Sequence, residues 1–177
     1  SAYNADYHKH SDEMSVYLYA NGHELLCEAG PNGYQYDDPL TKYAFSTHAH
    51  NSMAVDGEGL PRIDGKAHLT SMGDVSTGDD YLDVIGSTRR YPGVSWSRRI
   101  STASDLSDGI IQIEDTVISE QEHEYTFSWH LGVGVAAVVR GNFVEMFDEK
   151  TDEKLGELSL QTKEVTAVSV FKGHRHP

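Results

Sequence analysis

From Met14 onward, short runs of apolar and polar side chains alternate, and most runs end in Gly, Asn, Asp or Ser. Alternation with a period of two puts the apolar residues on one face of a β-strand. Met14 to Ala20 ends at Asn21-Gly22, a dipeptide that favours the left-handed turn of a two-residue hairpin, and His23 to Glu28 reads as the return strand. Further strands are predicted at Ser52 to Val55, His68 to Met72, Tyr81 to Gly86, Val94 to Thr102, Gly109 to Ser119, His123 to Leu131, Val135 to Val139, Asn142 to Phe147, Leu155 to Leu160 and Glu164 to Phe171. The one helical signal is short: Pro39 to Phe45, with Asp38 placed to cap it, inside an otherwise irregular Tyr34 to Thr47. Many strands joined by Gly, Asp and Ser turns, without a long amphipathic helix, predict an all-β antiparallel sandwich or barrel.

Composition narrows this little. At 177 residues and 38% apolar content, the chain can bury about 70% of the surface its unfolded form exposes. A single domain over 1–177 is therefore expected. Charge says more: 14 Lys+Arg against 28 Asp+Glu gives −14, a balance that repels nucleic acid and anionic membrane surfaces. An anionic substrate would need a local cationic site. The single cysteine, Cys27, cannot form an internal disulfide, and its neighbours Leu25, Leu26 and Ala29 make it a small buried residue by expectation. No run is long and apolar enough to span a bilayer. The first residue is Ser, which suggests a piece excised from a longer chain and leaves the compartment open.

The histidines carry the candidate chemistry. Tyr7-His8-Lys9-His10-Ser11-Asp12-Glu13 and Thr47-His48-Ala49-His50-Asn51 hold four of the ten. Each pair precedes a predicted strand, and on a strand residues i and i+2 share a face. Paired imidazoles suit a divalent metal or a proton-transfer site. His174-Arg175-His176 repeats the spacing in a Gly- and Pro-flanked tail, where solvated side chains are expected, so spacing alone decides nothing. Surface positions are also expected for His68 and His123, and core positions for Trp129 and His130. Tyr34, Tyr36 and Tyr43 suit either sugar stacking or packing over the first hairpin. The pairs Arg89-Arg90 and Arg98-Arg99 suit either contact with an acidic substrate or balance of the chain's own carboxylates.

Three ordered stretches resemble the C-terminal domain of the heparinase II/III-like polysaccharide lyases. The first runs from Asp6 through His8-Lys9-His10-Ser11-Asp12 and Ser15 to Leu25-Leu26-Cys27-Glu28-Ala29-Gly30. The second is Ser46-Thr47-His48-Ala49-His50-Asn51-Ser52 with Val55-Asp56-Gly57. The third joins Arg98-Arg99-Ile100, Ile110-Ile111-Gln112-Ile113-Glu114-Asp115, Glu122-His123-Glu124-Tyr125 and Trp129-His130-Leu131.

The resemblance implies a two-sheet antiparallel β-sandwich with few or no helices, packed in the intact enzymes against an N-terminal (α/α) toroid. It implies cleavage of uronic-acid-containing polysaccharide by β-elimination, with this domain inactive or nearly so on its own. It places His8 on the family's catalytic histidine, and His10, Glu28 and His50 on the ligands of a structural zinc, with His48 an alternative to His50. Glu28 stands where the family has Asp, and a two-His, one-Glu set is still an acceptable zinc set. The implied partners are an acidic polysaccharide and the toroid. Periplasmic or secreted location is implied by the family alone. The competing expectation is a non-catalytic carbohydrate-binding or structural sandwich.

Overall fold

The computed structural model of the chain describes residues 9–78, 81–102, 109–162 and 167–171. Among them the strands are β1 (Leu18–Ala20), β2 (His23–Leu26), β3 (Met53–Val55), β4 (Thr70–Thr77), β5 (Leu82–Thr88), β6 (Val94–Thr102), β7 (Ile111–Ser119), β8 (Tyr125–Phe127), β9 (Val135–Arg140), β10 (Phe143–Asp148) and β11 (Lys154–Ser159). One α-helix, α1 (Pro39–Ala44), and two single 3₁₀ turns, Thr47–Ala49 and Ala67–Leu69, complete the regular elements. Every strand pairing is antiparallel. The all-β class read from the alternation is therefore what forms.

Two compact units divide the chain. The first comprises Ser1–Val16 and Ala29–Trp129. Its sheet has the order β4-β5-β6-β7, beside the two-stranded pair β3-β8. Alternation in β6 explains the packing: Val94, Trp96 and Arg98 are buried while Ser95, Ser97 and Arg99 are not. Trp96 is fully buried among Met53, Val55, Leu60, Tyr91 and Val94, with Met14, Val117 and Phe127 around them. The opposite face mixes polar residues with the exposed Ile85 and Ile118, and its register sets Ser71, Ser87, Ser97 and Thr116 side by side across four strands.

The second unit comprises Tyr17–Glu28 and His130–Pro177. It holds the hairpin β1-β2 and the sheet β11-β10-β9. Asn21 (φ 53°) and Gly22 (φ 80°) form the hairpin turn in the left-handed conformation their sequence favours. Leu25, Met146 and Leu155 make a smaller core with Leu18, Leu131 and Val135. Close approach requires Gly132, where a Cβ would sit 1.9 Å from the Glu24 carbonyl oxygen. Cys27 is half-buried rather than buried; its thiol donates to the Leu131 carbonyl at 3.2 Å, and burial raises its pKa.

Several strand boundaries differ from those the alternation predicts. Residues 9–17 form no strand, although Met14 to Ala20 alternates. Ser11 N–H bonds the Phe45 carbonyl, and Ser15 N–H closes a turn on Asp12, with Met14 at φ 55°. His48 lies in the first 3₁₀ turn and His68 in the second, so neither begins a strand. The predicted His123 to Leu131 shrinks to β8, whose partner β3 has only three residues. Of Glu164 to Phe171, residues 164–166 lie outside the described residues. Residues 167–171 form no strand, and Phe171 is 87% exposed.

Candidate functional site

Asp38 begins the site. Its carboxylate accepts from the Leu40 and Thr41 amides, from the Thr41 hydroxyl at 2.9 Å and from Asn32 Nδ2 at 2.7 Å. These bonds, led by the Thr41 hydroxyl, hold its pKa below the usual carboxylate value. With Pro39 following the cap, α1 starts as its sequence predicts and runs to Phe45. The 3₁₀ turn Thr47–Ala49 then delivers His50 into the interior, where it is 4% exposed. Thr47 Oγ1 accepts the Leu60 amide at 2.9 Å and pins this turn.

His10 reaches His50 from the N-terminal segment. His10 Nδ1 and His50 Nε2 are 3.2 Å apart, and the His10 ring packs on Phe45 at 4.4 Å between centroids. Two nitrogens at about 2.0–2.1 Å from one tetrahedral zinc would stand about 3.3 Å apart. The pair thus fits two ligand positions in donor chemistry and spacing. Glu28 belongs to the second unit, and among the described residues no group of three or more His, Cys, Asp or Glu is placed to hold a metal. His8 lies outside the described residues. His48 lies next to this pair in sequence, and its carbonyl accepts from the Tyr43 hydroxyl at 3.1 Å.

Buried arginines hold the two histidine segments together. Arg98, 1% exposed, clamps Asp115 through Nε at 2.9 Å and Nη2 at 3.0 Å, and its Nη1 donates to the carbonyls of Met14 and Asn51. One side chain therefore ties the segment after His10 to the residue after His50. Asn51 adds a second tie, its amide donating to Ser15 Oγ and its Nδ2 to the Val16 carbonyl. Ser52 Oγ donates to the Glu13 carbonyl. Arg90 is buried as well, bonded to Glu13, to Asp64 at 3.1 Å and to the Pro61 carbonyl. Arg99 pairs with Asp83 on the outer face. Of the two readings of the arginine pairs, balance of the chain's own carboxylates holds for Arg90, Arg98 and Arg99.

Beside Phe45 a cleft of about 390 Å³ is lined by Ser11, Tyr36, Lys42, Phe45, Leu60 and Arg62. Tyr36 packs on Phe45, and Arg62 lies over both rings, 4.4 Å from the Tyr36 centroid and 5.2 Å from that of Phe45. The Arg62 Nη1 also donates to the Tyr36 hydroxyl at 3.0 Å. Sequence reasoning flagged Tyr36 as a stacking candidate but missed Arg62 and Lys42. No local pattern marks either: Arg62 is a lone cation in Pro61-Arg62-Ile63-Asp64, and Lys42 reads as an ordinary helix residue.

The remaining candidates fall elsewhere. Trp129 is half-buried rather than in the core, and Arg98 lies 4.9 Å from its ring. His130 is half-buried in the second unit. His123 is half-buried rather than at the surface; its Nδ1 lies 2.7 Å from Asp56, and that bond, with the Glu124 amide, lowers the Asp56 pKa. His174 and His176 lie outside the described residues.

Compared with known proteins, residues 1–173 match the family model described as heparinase II/III-like, C-terminal. No curated protein matches the chain.

Proposed function

Because the chain belongs to the heparinase II/III-like C-terminal family, we propose that it is the sandwich domain of a polysaccharide lyase acting by β-elimination on a uronic-acid-containing polymer. The observation that carries this beyond family membership is the interior pairing of His10 with His50 across 40 positions of sequence, at 3.2 Å. Such an arrangement fixes the backbone immediately after His8. In the reaction the uronate carboxylate is neutralised, a base removes the C5 proton, the C4–C5 double bond forms and the C4–O bond breaks, with the departing oxygen taking a proton. His8 would serve as base, acid or carboxylate neutraliser, since an imidazole with a pKa near ~6.5 can act in either protonation state at neutral pH. The toroid would complete the cleft and supply the other groups.

His10 and His50 would supply two ligands of a zinc whose contribution is structural, joining the segment that carries His8 to the loop after Phe45. Elemental analysis of the purified chain is expected to find close to one zinc per chain, lost in His10→Ala. Absence of metal from the folded chain would remove the zinc proposal and leave the lyase reading on His8.

The decisive experiment uses the full-length parent protein and follows the ultraviolet absorbance of a 4,5-unsaturated uronate product. His8→Ala is expected to lower the rate by roughly 10²–10⁴-fold, the usual contribution of general acid–base catalysis. A parent that releases no unsaturated product from any uronate polymer would instead be a carbohydrate-binding or structural protein.

A further inference from the structure

The sheet β4-β5-β6-β7 ends in two strand edges of opposite character. A bare edge presents a row of N–H and C=O groups to any further strand, and folded chains blunt such edges with bulges, Pro, Lys or an inward-pointing charge. Strand β4 is blunted: its ladder with β5 shifts register between Met72 and Val75, around Gly73 and Asp74. Strand β7 is not. It runs for nine residues without Pro, Gly, Lys or Arg, and it pairs with β6 in unbroken register. Among the described residues β6 is its only strand neighbour. Its apolar side chains are also uncovered, Ile111 at 39% exposure and Ile118 at 67%. An unbroken apolar edge of this length is a pairing surface.

Charge decides what kind of strand fits. The acids of β7 are Glu114 and Asp115. Asp115 is held by two bonds from Arg98, and Glu114 stands opposite Arg99 in the register. Each has a cation beside it, so the edge does not call for a basic partner. A strand of the same character is the match, and β7 itself supplies one. Two copies related by a twofold axis pair antiparallel, and the residue on the axis fixes the register. An axis at Glu114 or at Asp115 sets identical carboxylates against each other, which is destabilising. With the axis at Thr116, Thr116 meets Thr116 of the second copy, Glu114 meets Ile118, Asp115 meets Val117 and Ile113 meets Ser119. That register pairs all of Ile113–Ser119, whereas an axis at Val117 pairs only Asp115–Ser119.

We propose that β7 is a self-pairing edge, through which two copies of the chain join antiparallel about Thr116 and merge their four-stranded sheets into one. An interface of a single strand pair is small, so association is weak, with a Kd of about 10–100 μM. The proposal takes nothing from the lyase reading.

The test is sedimentation velocity on the 177-residue chain over a series of concentrations. Monomer is expected to give way to dimer through that Kd range, with no larger species. More dimer is expected at about 0.15 M salt than at about 10 mM, because screening relieves the repulsion between two chains that each carry −14. Thr116 is exposed, so its substitution leaves the core intact, as an unchanged melting temperature would verify. Thr116→Lys places two ammonium groups against each other and is expected to abolish the dimer. Thr116→Glu alone does the same, and an equimolar mixture of the two variants restores it. Ser76→Lys, on the blunted edge, leaves the dimer unchanged. A chain that stays monomeric at about 1 mM, a dimer that survives Thr116→Lys, or a mixture of the two variants that stays monomeric would each overturn the proposal. So would open-ended assembly, or a dimer lost only in Ser76→Lys.

Discussion

Arg98 shows how much of this molecule hangs on single buried charges. Its guanidinium satisfies Asp115 with two bonds and reaches two main-chain carbonyls from different segments. Arg98→Ala would strand the Asp115 carboxylate and two carbonyl groups, so the variant is expected to lose about 3–5 kcal/mol of stability in urea denaturation. Arg98→Lys should recover only part of that loss, because an ammonium cannot reproduce the two-pronged contact. Equal stability of Arg98→Lys and the parent sequence would show that charge alone suffices. Residues of this kind were hard to read from sequence. Arg98 stands at an inward position of β6, where an apolar residue is the usual expectation, and its partner Asp115 lies one strand away. Glu13 is plainer still: within His8-Lys9-His10-Ser11-Asp12-Glu13 it looks solvated, yet Arg90, 77 positions on, draws it inside.

At the scale of elements, legibility followed locality. Strand β6 was read from Val94 to Thr102 as it stands, because its alternation is uninterrupted and strands pair on both sides. The Asn21-Gly22 turn and the cap of α1 were legible for the same reason, each needing residues only two or three positions apart. The segment from His10 to Tyr17 misled because its bonds go to Phe45, Asn51 and Arg98 instead of to a neighbouring strand. The histidine site was legible only through resemblance, since the i, i+2 spacing of His48 and His50 lands on a 3₁₀ turn and not on a strand face.

The cap on α1 also sets a pH dependence. Asp38 and Asp56 both have pKa values below the ordinary carboxylate value, the first mainly through the Thr41 hydroxyl and the second mainly through His123. A lowered native pKa means stabilisation that is complete above about pH 3.9, the unfolded value, and is lost as pH falls through the native value. The amide signals of α1 are therefore expected to hold steady from neutral pH to about 4 and to weaken only in more acidic solution. Asp38→Ala should remove that acid transition and loosen α1 at all pH values, with weaker hydrogen-exchange protection at Thr41 to Phe45 as the readout. A helix equally protected in Asp38→Ala would show that Pro39 and packing hold it without the cap.

For the molecule as a whole, a net charge of −14 sets a long-range repulsion against the polyanion it is proposed to handle. At about 10 mM salt the screening length is near 30 Å, and at about 0.15 M it is near 8 Å. Raising salt over that interval should speed association of a uronate polymer with the chain. Stopped-flow mixing would show this; a fall in the association rate with salt would mean that a local cationic field dominates the approach. No helix among the described residues is long and apolar enough to cross a membrane.

The placement of Arg98 has an optical consequence. The chain contains two tryptophans, and this one guanidinium lies 5.1 Å from the ring of Trp96 and 4.9 Å from that of Trp129. Both indoles belong to the first unit, so intrinsic emission excited at the red edge of the protein band is a site-selective reporter. It will follow the loosening of the Arg98 clamp, as the indoles gain water and part from the cation, while the β9-β10-β11 sheet contributes nothing to the signal.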